Sequence, residues 1–171
     1  MATESTAARL VRMSSEPSPS LADDEATLGR YGAALADQFE ALAEPWLGHL
    51  VDQHAPGLSS TPDVQLQLRD QATAVVQELR ALFTRDIADQ PVGPLEVIRR
   101  STRVPTEILV DAGVAPVVRD AFDMQRFPDD LFGLTPASFG DIHPSLHEPG
   151  LMWGAAKAHV HLRRRRDADG Q

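Results

Sequence analysis

A chain of 171 residues has room for one ordinary domain, and its 42% apolar content, with aromatics at only 5%, calls for a core built from Leu, Val and Ile. With no cysteine, disulfides, thiolate zinc sites, iron–sulfur clusters and cysteine nucleophiles are excluded. A formal net charge of −9 disfavours non-specific nucleic-acid binding by the molecule as a whole.

Residues 1–22 are rich in Ser, Thr, Pro and small side chains without periodicity, the composition of a disordered tail. Arg9 and Arg12 among serines have a weak transit-peptide flavour, opposed by Glu4, Glu16, Asp23, Asp24 and Glu25. No apolar stretch has signal-peptide form, and none approaches the roughly 18 apolar residues of a membrane span. A cytoplasmic protein with no membrane partner is expected.

From about residue 24 to 54, Leu28, Tyr31, Leu35, Phe39, Leu42, Trp46 and Leu50 recur every three or four positions. That is one stripe of an amphipathic helix. Pro45 falls inside it and predicts a kink. Residues 55–62 read as a loop. A second helix is expected to start with Thr61 as N-cap and Pro62 in the first turn. Its stripe is Leu68, Ala72, Val75, Val76, Leu79, Leu82, Phe83 and Ile87. Two such helices joined by a short loop predict an antiparallel hairpin.

Beyond Gln90 prolines recur, and short helices fit between them at about 94–101, 105–112 (ended by Gly113) and 116–125. A further turn is expected near Thr135, Pro136 and Ala137. A last helix is expected from about 150 to 165, its C-terminal arginines complementing the helix dipole. No strand alternation or internal repeat is present. The expected architecture is therefore all-α: a long antiparallel hairpin, several short proline-punctuated helices and a C-terminal helix, as an irregular bundle. Residues 23–166 form the single domain, with 167–171 a disordered C-terminus.

Charge is distributed unevenly. Between residues 23 and 52 there are seven acids against one base, Arg30, whereas the far end carries Lys157 and Arg163, Arg164, Arg165 and Arg166. The four arginines form a basic surface that fits an acidic partner, or simply a solvated helix end; Asp167 and Asp169 beside them make nucleic acid an unfavoured partner. Arg99, Arg100 and Arg103, with Arg119 and Arg126 further on, supply planar forks for a phosphate or carboxylate. Five acids nearby (Glu96, Glu107, Asp111, Asp120, Asp123) make internal ion pairing the favoured account.

The P-loop, the dinucleotide fingerprint, the hydrolase nucleophile elbow and the zincin motif are all missing. The densest polar chemistry is Asp129, Asp130, Asp141, His143, His147 and Glu148. Asp129, Asp130, His143 and His147 are the candidate ligands of a divalent metal such as zinc or manganese, or acid–base groups. The four-residue step from His143 to His147 suits one helical face. The simpler account makes these acids turn formers and caps, and no cofactor is then required. His159 and His161, two apart on a helix, point in different directions and do not chelate together. Trp46 and Trp153 read as core residues.

Residues 94–166 resemble a family of small uncharacterised helical proteins from the high-GC Gram-positive bacteria (actinobacteria). The resemblance is carried by RVPTEILVDAGVAPVVRD (103–120), FPDDLFGLTPASFGDIHPSLHEPG (127–150) and WGAAKAHVHLRRR (153–165). It implies an actinobacterial source and brings no activity or site residues with it. Two functional expectations follow from the residues themselves. One is a non-enzymatic interaction or regulatory module whose partner is another protein or a second copy. The other is an enzyme or metal- or ligand-binding domain using the Asp/His cluster between Phe127 and Glu148.

Overall fold

The computed structural model describes residues 19–84 and 92–170, and the chain there is all-α, without a strand among the described residues. The expected disordered tail falls mostly on residues 1–18, outside the described residues. Its last four positions, 19–22, already belong to the fold. Ser20 caps α1 (Leu21–Asp52) in a capping box: its backbone N–H donates to the Asp23 carboxylate at 2.8 Å while Asp23 N–H donates to Ser20 Oγ at 3.2 Å. Both end groups are thereby satisfied. The helix continues through Pro45 without a break.

The buried face of α1 is wider than one stripe. Leu28, Leu35, Phe39, Trp46 and Leu50 are buried as the spacing predicts, and Gly32, Ala36, Ala43, Leu47 and Val51 are buried beside them. The reason is that α1 is packed on two sides, by α2 (Pro62–Phe83) and by α7 (His147–Asp169). Along α2 the contacts descend as they climb α1. Gly32 lies against Phe83, Asp37 and Glu40 pair with Arg80 at 2.6 and 2.5 Å, and Glu44 pairs with Arg69 at 3.5 Å.

The turn between them contains a 3-10 element, Leu58–Ser60, entered through Gly57 at φ 84, a left-handed conformation that suits glycine. Asp52 holds this turn: its carboxylate accepts from the Ser59 hydroxyl at 2.6 Å and from the Ser59 N–H at 3.0 Å. Thr61 occupies the N-cap position of α2, but its hydroxyl donates back to Leu58 O at 2.9 Å instead of capping. Ile87, the last member of the expected stripe, lies outside the described residues.

The proline-punctuated half begins with α3 (Pro94–Ser101) and α4 (Arg103–Asp111), separated only by Thr102. The expected helix at 116–125 shrinks to α5 (Ala121–Arg126). Asp120 is its N-cap and accepts from Asp123 N–H at 2.8 Å. The stretch before it is tied elsewhere, with Val117 N–H donating to Leu131 O at 3.1 Å. Next come the one-turn helix α6 (Phe139–Ile142), a 3-10 turn at Pro144–Leu146, and α7. α7 starts three residues earlier than expected and runs on to Asp169, so 167–169 form its last turn.

These elements share one core. Phe132, Leu134, Ile142, Leu146, Trp153 and Val160 from the C-terminal half lie in the same buried cluster as the residues of α1 and α2. Phe132 meets His54 at the end of α1 with ring centroids 5.6 Å apart. Trp153 meets Phe83 edge-on at 6.1 Å. The Trp153 indole N–H is buried and has no hydrogen-bond partner among the described residues.

Two glycines of α1 predict opposite responses to the same substitution. A Cβ at Gly32 would sit 2.2 Å from the Phe83 ring, whereas one at Gly29 meets nothing within 4 Å. Gly32→Ala is expected to destabilise by about 1–3 kcal/mol through overpacking. Gly29→Ala is expected to stabilise by about 0.5–1 kcal/mol through helix propensity. Thermal or urea unfolding of both variants checks this pair.

Asp52 gives a pH-dependent prediction. The Ser59 hydroxyl, and then the Ser59 N–H, hold its carboxyl below the ordinary value of 3.8. The folded state therefore favours the charged form. That stability is present above the unfolded-state value and is lost as pH falls through the lower folded value. Asp52→Ala is expected to cost about 1 kcal/mol at neutral pH, and the gap from the natural protein to close on acidification below the ordinary value. A gap that stays constant with pH would contradict this role.

Candidate functional site

The acidic and basic ends of the sequence meet each other. Arg163 donates to Asp24 at 2.7 Å and to Pro19 O at 2.6 Å, Arg164 pairs with Glu25, and His159 lies 3.3 Å from the same Asp24 carboxylate. The Asp24 and Arg163 side chains are only 14% and 29% exposed, so this contact closes the end of the α1–α7 packing. Arg165 and Arg166 are exposed and form no ion pair among the described residues. Two of the four basic residues expected to face a partner are thus engaged within the chain.

Arg99, Arg100 and Arg103 do come together, on one wall of an open cleft of about 740 Å³. Each has an internal partner. Arg99, half-buried, donates to the carbonyls of Pro136 and Ala137 at 3.0 and 3.1 Å and so fastens α3 to the segment before α6. Arg100 pairs with Glu78 at 2.5 Å, and Arg103 pairs with Glu107 at 2.7 Å along α4. Across the cleft Phe127 carries the guanidiniums of Arg99 and Arg126 over its ring, at 5.4 and 5.0 Å from the centroid, within cation–π range. Arg126 forms no ion pair among the described residues.

The Asp/His cluster is split between this cleft and the turns beyond it. Asp129 is exposed at the cleft wall, and Asp130 is buried behind it. Asp130 accepts from the N–H groups of Leu134 and Thr135, both at 2.8 Å, and so shapes the turn through Gly133 at φ 70. Asp141 accepts from the N–H groups of Ala137 and Ser138 at 2.9 and 2.7 Å to start α6.

His143 is extended, at φ −160, and its Nδ1 accepts from Ser145 N–H at 3.2 Å. It does not share a helical face with His147, because a residue preceding proline is driven out of the helical region, and Pro144 follows it. His147 opens α7 and lies beside Gly140. Neither histidine is part of the cleft wall. No group of three or more His, Asp or Glu side chains is placed to hold a metal ion among the described residues.

Helical spacing alone does not reveal the exposed apolar segment at 117–131. α5 contains no buried residue, yet Phe122 is 67% and Met124 49% exposed, and Val118 is fully exposed beside them with Val117 and Leu131. The segment is a fastened structure: Arg119 donates to Phe127 O at 2.8 Å, closing a loop around α5. Val118 and Phe122 have helical spacing in the sequence, but Gln125 and Arg126 stand where a buried stripe would continue.

No helix among the described residues is long and apolar enough to cross a membrane. Compared with protein-family models, curated proteins and solved structures, the chain gives no match in any of the three.

The junction of the charged ends gives a third prediction. A double-mutant cycle with Asp24→Ala and Arg163→Ala is expected to show favourable coupling of about 0.5–1 kcal/mol, shrinking with added salt. Coupling indistinguishable from zero at low salt would contradict a structural role for this pair.

Proposed function

We propose that this chain is a non-enzymatic protein-interaction module. An antiparallel hairpin of α1 and α2, braced by α7 in an irregular helical bundle, serves as a platform for the segment at 117–131. The observation that carries the reading is that α5 exposes Phe122 and Met124 while burying nothing.

Apolar area left in water forgoes about 25 cal/mol per Å² of stabilisation, and contiguous exposed apolar surface on a folded domain characteristically marks a binding site. Aromatic residues, Met and Arg are the types enriched at interface cores. Phe122, Met124 and Arg126 supply all three within one six-residue helix. The bonds from Arg119 to Phe127 O and from Val117 N–H to Leu131 O hold the segment in place before any partner arrives, which lowers the ordering cost of association.

The reading is tested by placing a photo-crosslinking phenylalanine analogue at Phe122, or at exposed Thr73 on α2, in the full chain within its own cells. A discrete protein adduct is expected from position 122 and not from 73, and it is expected to vanish when Val118→Asp is added. No adduct, or the same adducts from both positions, would overturn the reading.

A further inference from the structure

The exposed segment carries charges arranged to recognise their own arrangement. Helical spacing puts Phe122, Asp123 and Arg126 on one side of α5, and all three are exposed. Asp123 and Arg126 lie one turn apart, and neither forms an ion pair among the described residues. Within residues 117–126, Arg119 and Arg126 balance Asp120 and Asp123. In a chain of net charge −9, two copies repel over most of their surfaces, but this patch is locally neutral and apolar at its centre.

An acid outside any ion pair among the described residues, set beside a base that only rests on the Phe127 ring, makes an arrangement complementary to itself under a two-fold rotation. The acid of each copy then faces the base of the other, the relation that an isologous dimer requires. Resting on the interaction reading above, we propose that the occupant of this surface is a second copy of this chain. The copies meet α5 to α5, with two reciprocal Asp123–Arg126 pairs flanking the buried Phe122 and Val118 side chains. Paired across an interface, the charges fix register and partner choice, while the apolar centre supplies the attraction.

The test is sedimentation velocity of the full chain across concentrations bracketing the micromolar range, with native mass spectrometry of the same samples. The natural protein is expected at, or moving towards, twice its 18.6 kDa mass. Asp123→Arg and Arg126→Asp are each expected to remain monomeric, because each brings like charges together. Mixed in equal amounts, the two variants are expected to recover a dimer of one copy of each, since every pair is again opposite in sign. Phe122→Asp is expected to be monomeric with unchanged circular dichroism and thermal midpoint, because α5 contributes nothing buried to the fold.

A natural protein that stays monomeric throughout overturns self-pairing, as does a dimer that survives either charge reversal or a mixture that fails to recover. The two readings separate cleanly. A monomer whose position 122 crosslinks to a protein of different mass removes this inference and leaves the interaction module standing; a monomer without any adduct removes both.

Discussion

The close approach of α1 and α2 at Gly32 is the contact on which the rest of the arrangement depends. Because Gly32 has no side chain, the Phe83 ring rests directly on the α1 backbone. That places the ring where Trp153 of α7 meets it edge-on. Three long helices are therefore keyed through one aromatic side chain. A second instance lies at Gly150, where a Cβ would come 2.4 Å from Phe139 and where α7 packs under α6. Close packing of this kind tolerates little added volume, so glycine at these two positions sets how closely these helices approach.

With α7 keyed at Trp153, its far end reaches the start of α1, and the sequence's two charged ends become one intramolecular junction. Asp24 and Glu25 are half-buried there against Arg163 and Arg164. Side chains that look from composition like surfaces awaiting partners are consumed in closing the fold. The arginines of α3 and α4 behave similarly: Arg99 acts as a strap to two backbone carbonyls, and Arg100 and Arg103 pair with Glu78 and Glu107. The apolar segment at 117–131 is not consumed in this way: it stays exposed, with Asp123 and Arg126 outside any ion pair among the described residues, beside a cleft that Glu96 and Asp129 also line. The proposed function rests on that segment.

Much of the fold was legible because large apolar residues at helical spacing announce themselves. Leu68, Ala72, Val75, Val76, Leu79, Leu82 and Phe83 are all buried as expected, and α3 has the predicted bounds. The second face of α1 was hidden because Gly32, Ala36 and Ala43 carry no strong apolar signal, although small residues are what close packing needs. The early start of α1 was hidden in its capping box, because Ser20 fell in the expected tail while its partner Asp23 was placed at the helix start. At the candidate site, the convergence of Arg99, Arg100 and Arg103 was visible from spacing. The separation of His143 from His147 followed from Pro144, whose effect on the preceding backbone outweighs a four-residue step. A short helix at 116–125 was expected, but its exposure was not, because Val118 and Phe122 have helical spacing whether or not anything covers them.

Native-state hydrogen exchange measures most directly whether α1, α2 and α7 form one unit that holds 117–131 on its surface. The account predicts that the slowest amides of all three helices, around Leu35, Leu79 and Val160, exchange with a common free energy equal to that of global unfolding. Amides of α5 are predicted to exchange far faster in dilute protein. If α7 opens at a much lower free energy than α1 and α2, the Phe83–Trp153 contact does not key the three helices together. The central claim would then be contradicted.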